Sequence, residues 1–556
     1  MKRLQISLIF LIIGSSFGED MIVKTSKGPI MGLREDSSSN GYFYSFKGIR
    51  YAMPPVEDLR FKAPTELEPW TETVEAVEDG HICPQYDIAN SIPLGDEDCL
   101  FLNVYTPKID SKKRAVMVHI HGGAFILGGG VSHLFGPDYL MENDIVLVNF
   151  NYRLGALGFL TTKDTMETAN NGIKDQIMAL KWVKENIDKF GGDPNKVTII
   201  GEDAGAASAT ILSMSPAAQG LFQGVIALSG NALCDQFIQN NPDEAAKELA
   251  ARLECSSTDG KDIIECISRK TQQDIVEKSN SMMMFYTFPR WFAPNVDGDI
   301  LPDRPENLLS NGQFSKVPIV LGQTKNGGAF YYRLTINSFN NGGYDDNFID
   351  HKLPRLLPVM TNYNSKLYPI TRSIRKRYFV NVDMENEDEF RPRYIEFLTD
   401  MLFTKCTDEF ARAIANHSVP TYEYLFDYRG QYSIVNFQGE QVDMGVVHGD
   451  EMQYVFHNIW GEDFSMSPAD LKFTKNIFTP LLSSFAKTSV PTLPTIDDIN
   501  VSWSPRAPNK NRILKISNKL EMNEDYKKDI LKFWNEDIQN ILKSKKKLGK
   551  KGKDEL

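Results

Sequence analysis

The chain has 556 residues, 42% hydrophobic and 24% charged, a composition with ample apolar content for one large α/β unit or a few ordinary domains. Its formal net charge of −12 and isoelectric point near 5.4 argue against nucleic acid as a partner, because phosphate backbones demand basic surface. Beyond that exclusion, the charge describes a solvated exterior.

Residues 1–18 read as a signal peptide: Lys2 and Arg3, an apolar run through Leu8 to Ile13, then the small residues Ser16 and Gly18. The apolar run is too short for a membrane span, and no later stretch is long and apolar enough to be one. The short β-branched runs "AVMVHI" (Ala115–Ile120) and "IVLVNF" (Ile145–Phe150) suit strands buried on both faces. A helix follows, with Ile173, Ile177, Leu180, Val183 and Ile187 at helical spacing, ended by "GGDP". Then come the strand "VTII", the pinched turn "GEDAG" (Gly201–Gly205), a small-residue helix from about Ala204, and the strand "GVIALSG". Farther on, "NPDEAAKELAARLEC" predicts a capped helix and "VPIVLGQT" (Val317–Thr324) another buried strand; helices are predicted over Tyr394–Ala415, Pro468–Ala486 and Asp525–Leu542. Strands alternating with helices imply a mostly parallel central sheet flanked by helices, in one domain over 19–542. The Met- and aromatic-rich "SMMMFYTFPRWF" (Ser281–Phe292) is read as core filler, with an adaptable pocket wall as the other reading.

The lysine-rich segment 543–556 closes on "KDEL", an address read by the KDEL receptor, so the expected location is the lumen of the endoplasmic reticulum. That compartment is oxidising, which makes the six cysteines disulfide candidates. Cys83 with Cys99, and Cys255 with Cys266, flank short polar loops, and each closure would stabilise by roughly 3 kcal/mol. Whether Cys234 and Cys406 pair is left open. Asn416 ("NHS") and Asn500 ("NVS") are glycosylation acceptors. No motif calls for a cofactor or a metal.

A set of motifs runs along most of the chain: "FKGIRYAMPP", "DEDCLFLNVYTP", "HGGAF", "NYRLGALGF", "FGGDPNKVTIIGEDAGAAS", "SGNAL" and "GVVHGDE". In their order and spacing they resemble the type-B carboxylesterase/cholinesterase family of α/β-hydrolases. The resemblance implies an oxyanion hole from the N–H groups of Gly123, Ala124 and Ala204, and a general base at His448. Two other parts depart from the family pattern. The Gly-x-Ser-x-Gly elbow carries Asp203 in place of the serine, and "LGQTKNGGAFYY" puts Gly327 where the family has a glutamate. Sliding the alignment rescues nothing, since Asn307–Tyr344 contains no Asp or Glu.

An aspartate has no hydroxyl to attack an ester, and its carboxylate would give a high-energy mixed anhydride. Removing a catalytic serine alone costs about a million-fold in a protease precedent, and removing the acid also leaves the histidine unoriented. The expectation is therefore a carboxylesterase-like protein with a degenerate triad and little or no esterase activity. It would instead bind an apolar ester or lipid ligand, or a protein partner. Noncatalytic members of the family act as adhesion molecules at cell surfaces, against which "KDEL" and the lack of an apolar span both speak. The alternative is an active hydrolase, either through residual ester cleavage or through epoxide or halide chemistry with Asp203 as nucleophile and His448 as base. A charged Asp203 is further expected to accept hydrogen bonds from Ala204, Gly123 or His448.

Overall fold

The computed structural model describes residues 21–38, 41–337, 347–437, 442–459, 465–492, 501–508 and 510–544. The expected leader (1–18), Asn500 and the "KDEL" address lie outside the described residues.

The predicted strands assemble as one mixed sheet of thirteen strands among the described residues. From Val146–Phe150 the order runs through Arg114–Ile120, Gly192–Glu202, Gly224–Leu228, Ile319–Thr324 and Thr421–Phe426 to Arg512–Ile516, every neighbour parallel. An antiparallel ribbon completes each side: Met21–Lys24, Pro29–Asp36, Tyr42–Arg50 and Phe101–Thr106 at one edge, Leu520–Glu524 at the other.

The parallel strands are apolar along their length because helices cover both faces. In Arg114–Ile120, successive side chains alternate between the two packing layers. Val116, Val118 and Ile120 pack with helix Asn171–Asn186, including Ile173, Leu180 and Val183. Ala115 and Met117 pack on the opposite face with Leu140, Leu481 and Phe485. A third apolar cluster, from Phe285 through Tyr394 to Trp534, is built from helices of the second half of the chain.

Two buried arginines tie helices to the rest of the fold. Arg153 and Asp175 meet with both side chains buried, Nη2 to Oδ1 at 2.6 Å and Nε to Oδ2 at 2.8 Å. Arg506 bridges Glu423 and Asp408, each at 2.8 Å. All six cysteines are paired: Cys83–Cys99 and Cys255–Cys266 as expected, and Cys234–Cys406, which spans 172 residues. Asn416 lies exposed just past helix Lys405–Ala415. No described helix is long and apolar enough to cross a membrane.

The predicted helices Tyr394–Ala415 and Pro468–Ala486 are present, but each contains a π-helical turn, Asp400–Thr404 and Thr474–Phe478 respectively. The Met-aromatic segment divides between its two readings. Met282, Phe285, Phe288 and Phe292 are buried. Tyr286, Thr287 and Arg290 line a cavity, and Met284 is 61% exposed.

Candidate active site

Strand Gly192–Glu202 stops where helix Ala204–Met214 begins, and Asp203 makes the turn alone, at φ 53° and ψ −117°. This is the tight strand-to-helix elbow of a hydrolase. Its two glycines are required by packing: a Cβ on Gly205 would stand 2.0 Å from the Ile120 carbonyl oxygen, and one on Gly201 would stand 2.3 Å from the Gly205 backbone. The elbow is intact, with a carboxylate at its tip.

The "HGGAF" loop leaves the end of strand Arg114–Ile120 beside it. Gly123, Ala124 and Phe125 all have positive φ, a strained run that turns successive N–H groups inward. Asp203 occupies these donors: Oδ2 accepts from Ala124 N–H at 2.8 Å and from Gly123 N–H at 3.2 Å. Of the expected donors to Asp203, Gly123 is found, and Ala124 joins it. Ala204, fully buried at the start of the helix, helps keep the carboxyl ionised through its N–H.

His448 completes the cluster. Its Nε2 lies 3.0 Å from Glu202 Oε1 and 3.4 Å from Asp203 Oδ1. Burial works to lower its basicity, but the charge of Glu202 and hydrogen bonding toward Asp203 and Glu202 outweigh it and push the imidazole up to about 10. Burial works to raise the Asp203 carboxyl; hydrogen bonding toward His448 and the charge of Arg290 overcome it, holding the group well below the usual carboxylate range. Glu202 is raised, by burial first and by Asp203 besides, against the pull of His448. The floor of the site is thus an imidazolium paired with the elbow carboxylate. His448 stands at the position expected of the general base, and as a base it would first have to give up the proton that Glu202 and Asp203 hold on its ring.

On the far side of the ring the family's acid has no counterpart. Nδ1 is buried without a hydrogen-bond partner among the described residues. Gly327, on the loop before helix Ala329–Ile336, supplies no acceptor. The space is filled instead: Phe403, on the π-helical turn, stacks on His448 with ring centres 4.8 Å apart and planes 26° apart. A Cβ at Gly327 would stand 3.1 Å from Thr324 Oγ1 and 3.2 Å from the Phe403 ring. Asn326 still clamps the two loops together, its N–H donating to Val446 O at 2.8 Å while its Oδ1 accepts from Val446 N–H at 3.1 Å. Ser208 lies out of reach, its hydroxyl accepting from Gln176 Nε2 at 3.0 Å.

These groups line a cavity of about 240 Å³, whose walls include Leu127, Leu134, Phe135, Tyr286, Phe330 and Ile459. Several residues in and around it escaped the sequence reading. Glu202 stands inside the quoted pentapeptide, and a glutamate beside the elbow was a visible signal. Glu451, from "GVVHGDE", accepts from Ser229 Oγ, and burial followed by the Glu202 charge pushes its carboxyl up to about 7. Phe403 and Arg290 offered no signal beyond residue type.

The parallel sheet, the elbow at the carboxyl end of a central strand and the loop of backbone donors facing it together define an α/β-hydrolase fold. The family model for the carboxylesterase family matches residues 19–534, and the chain belongs to that family. It is 34% identical over 508 residues to Esterase E4 of Myzus persicae, covering 87% of this chain and 90% of that protein. To Neuroligin-2 of Mus musculus it is 28% identical over 589 residues, covering 95% of this chain and 69% of that protein. The crystal structure of juvenile hormone esterase from Manduca sexta, with OTFP covalently attached, superposes with a TM-score of 0.81 at 28% identity, over 94% of this chain and all of that one.

Proposed function

We propose that this protein is a noncatalytic carboxylesterase, a ligand-binding member of its family that resides in the lumen of the endoplasmic reticulum. One observation carries the reading: the elbow carboxylate sits on the donors that would have to stabilise a reacting ester's oxyanion. An ester carbonyl entering the cavity finds those N–H groups taken, no hydroxyl to attack it, and an imidazolium in place of a base. Oxyanion donors are worth several kcal/mol only when free to meet the charge that develops. Covalent catalysis through Asp203 fails on the same count, because hydrolysis of an aspartyl ester needs a neutral histidine to activate water. The cavity remains open and apolar, which supports binding of an apolar ligand rather than turnover. The luminal assignment is supported by the leader and the "KDEL" address read from the sequence.

The test is incubation of the purified full-length chain with p-nitrophenyl acetate and with a fluorophosphonate probe. Neither turnover nor labelling is expected; stoichiometric labelling, or turnover at rates ordinary for esterases, refutes the reading. Reversion extends it. Asp203→Ser with Gly327→Glu alone is expected to stay nearly inactive, because the new glutamate meets Phe403. Adding Phe403→Ala opens the niche and is expected to raise hydrolysis by about 100-fold or more over the double variant, the scale on which a triad acid acts.

A further inference from the structure

Arg290 lines the same cavity and has entered so far only through the charge that Asp203 feels. It is 8% exposed, and its guanidinium stands 4.9 Å from the ring centre of Phe288 and 5.4 Å from that of Phe237. Its Nε and Nη1 are shut off from solvent and have no hydrogen-bond partner among the described residues. Asp203 feels its charge, but Oδ2 of Asp203 is held by Gly123 and Ala124. A guanidinium does not shed its proton to escape such a site. A buried guanidinium with two nitrogens short of acceptors is costly, so a group with lone pairs in the cavity would stabilise it.

The surroundings describe that group. The oxyanion donors are occupied, so a ligand's oxygen atoms must find their donors elsewhere. The carboxylates of Asp203 and Glu202 both face His448, so the Arg290 guanidinium is the cation left to pair with an entering anion. The remaining wall, Leu127, Leu134, Phe135, Phe330 and Ile459, is apolar. We infer that the cavity binds a monocarboxylate with an apolar tail, the carboxylate on the Arg290 guanidinium and the tail along the apolar wall. The carboxylate supplies two acceptors in the plane of the guanidinium, the geometry arginine pairs with best. Entry requires the side chain to turn its donors toward the cavity it lines. The inference rests on the noncatalytic ligand-binding reading and names the ligand's class.

Isothermal titration of the full-length protein with decanoate, and separately with decanol, tests it at neutral pH and below micelle formation. Decanoate is expected to bind at least about tenfold tighter than decanol, a difference of about 1.4 kcal/mol. Arg290→Met is expected to abolish that preference, bringing the decanoate affinity to that of decanol or below. Arg290→Lys keeps the charge but loses the paired donors, and is expected to weaken decanoate about threefold or more while sparing decanol; it carries the test if the methionine variant does not fold. Equal affinities in the wild type, no binding of decanoate, or a preference that survives both substitutions overturns the inference. Turnover of p-nitrophenyl decanoate would instead refute the noncatalytic reading without touching the preference for the free acid.

Discussion

A serine at this elbow would end in one oxygen that both donates and accepts; Asp203 ends in two that only accept. That difference settles the neighbourhood, because one oxygen takes the Gly123 and Ala124 N–H groups and the other faces the histidine. The folded-state value of His448, about 10, lies above its unfolded value of about 6.5. Its contribution to stability is therefore complete below about pH 6.5 and is lost as pH rises through about 10. Nitrogen-15 NMR of the imidazole is expected to show both ring nitrogens protonated at pH 8, and Asp203→Asn is expected to move the titration downward. Observation of a neutral ring at pH 7 in the wild type would contradict the charge assignment. At this scale the sequence was partly legible. Asp203, Gly327 and His448 stood out because the surrounding motifs mark their positions. What they become when placed together did not, since protonation depends on Glu202 and on burial, and neither the contact nor its depth is written in residue order.

At the scale of elements, the motif "NYRLGALGF" delivers Arg153 to helix Asn171–Asn186, where it meets Asp175 with both charges out of water. Asp175 also accepts from the Arg153 backbone N–H at 3.0 Å, and Arg153 Nη1 donates to Lys62 O at 2.6 Å. Arg153→Ala leaves a buried carboxylate uncompensated and is expected to destabilise by about 3–5 kcal/mol, whereas replacing the pair by apolar residues of matched volume is expected to do far less. Urea unfolding of the two variants beside the wild type measures this, and a loss below about 1 kcal/mol for Arg153→Ala would show the pair to be reached by water. The parallel strands were readable as unbroken apolar runs because both of their faces are covered. The edge strands were not, because Met21–Lys24 and Pro29–Asp36 mix exposed and buried positions. Likewise, apolar spacing announces a helix over Tyr394–Ala415 but not the wider turn at Asp400–Thr404 that carries Phe403 to the histidine. Such turns shift the register of everything after them without altering composition.

Across the whole molecule the Cys234–Cys406 link is the long-range tie, joining positions 172 residues apart. In the chain-entropy account a loop of that size contributes about 5 kcal/mol, against about 3 kcal/mol for the short loop closed by Cys255 and Cys266. Replacing Cys234 and Cys406 by alanine is expected to lower the melting temperature more than replacing the other two, and equal shifts would argue against that account. Sequence reading left this pair open because nothing local joins the two cysteines; their segments meet where helix Lys405–Ala415 packs on strand Ile319–Thr324, the neighbour of Gly224–Leu228. Cys406 sits in the first turn of helix Lys405–Ala415, its sulfur 3.2 Å from the carbonyl oxygen of Phe403. Breaking the disulfide would therefore free the start of the helix beside the ring that stacks on His448.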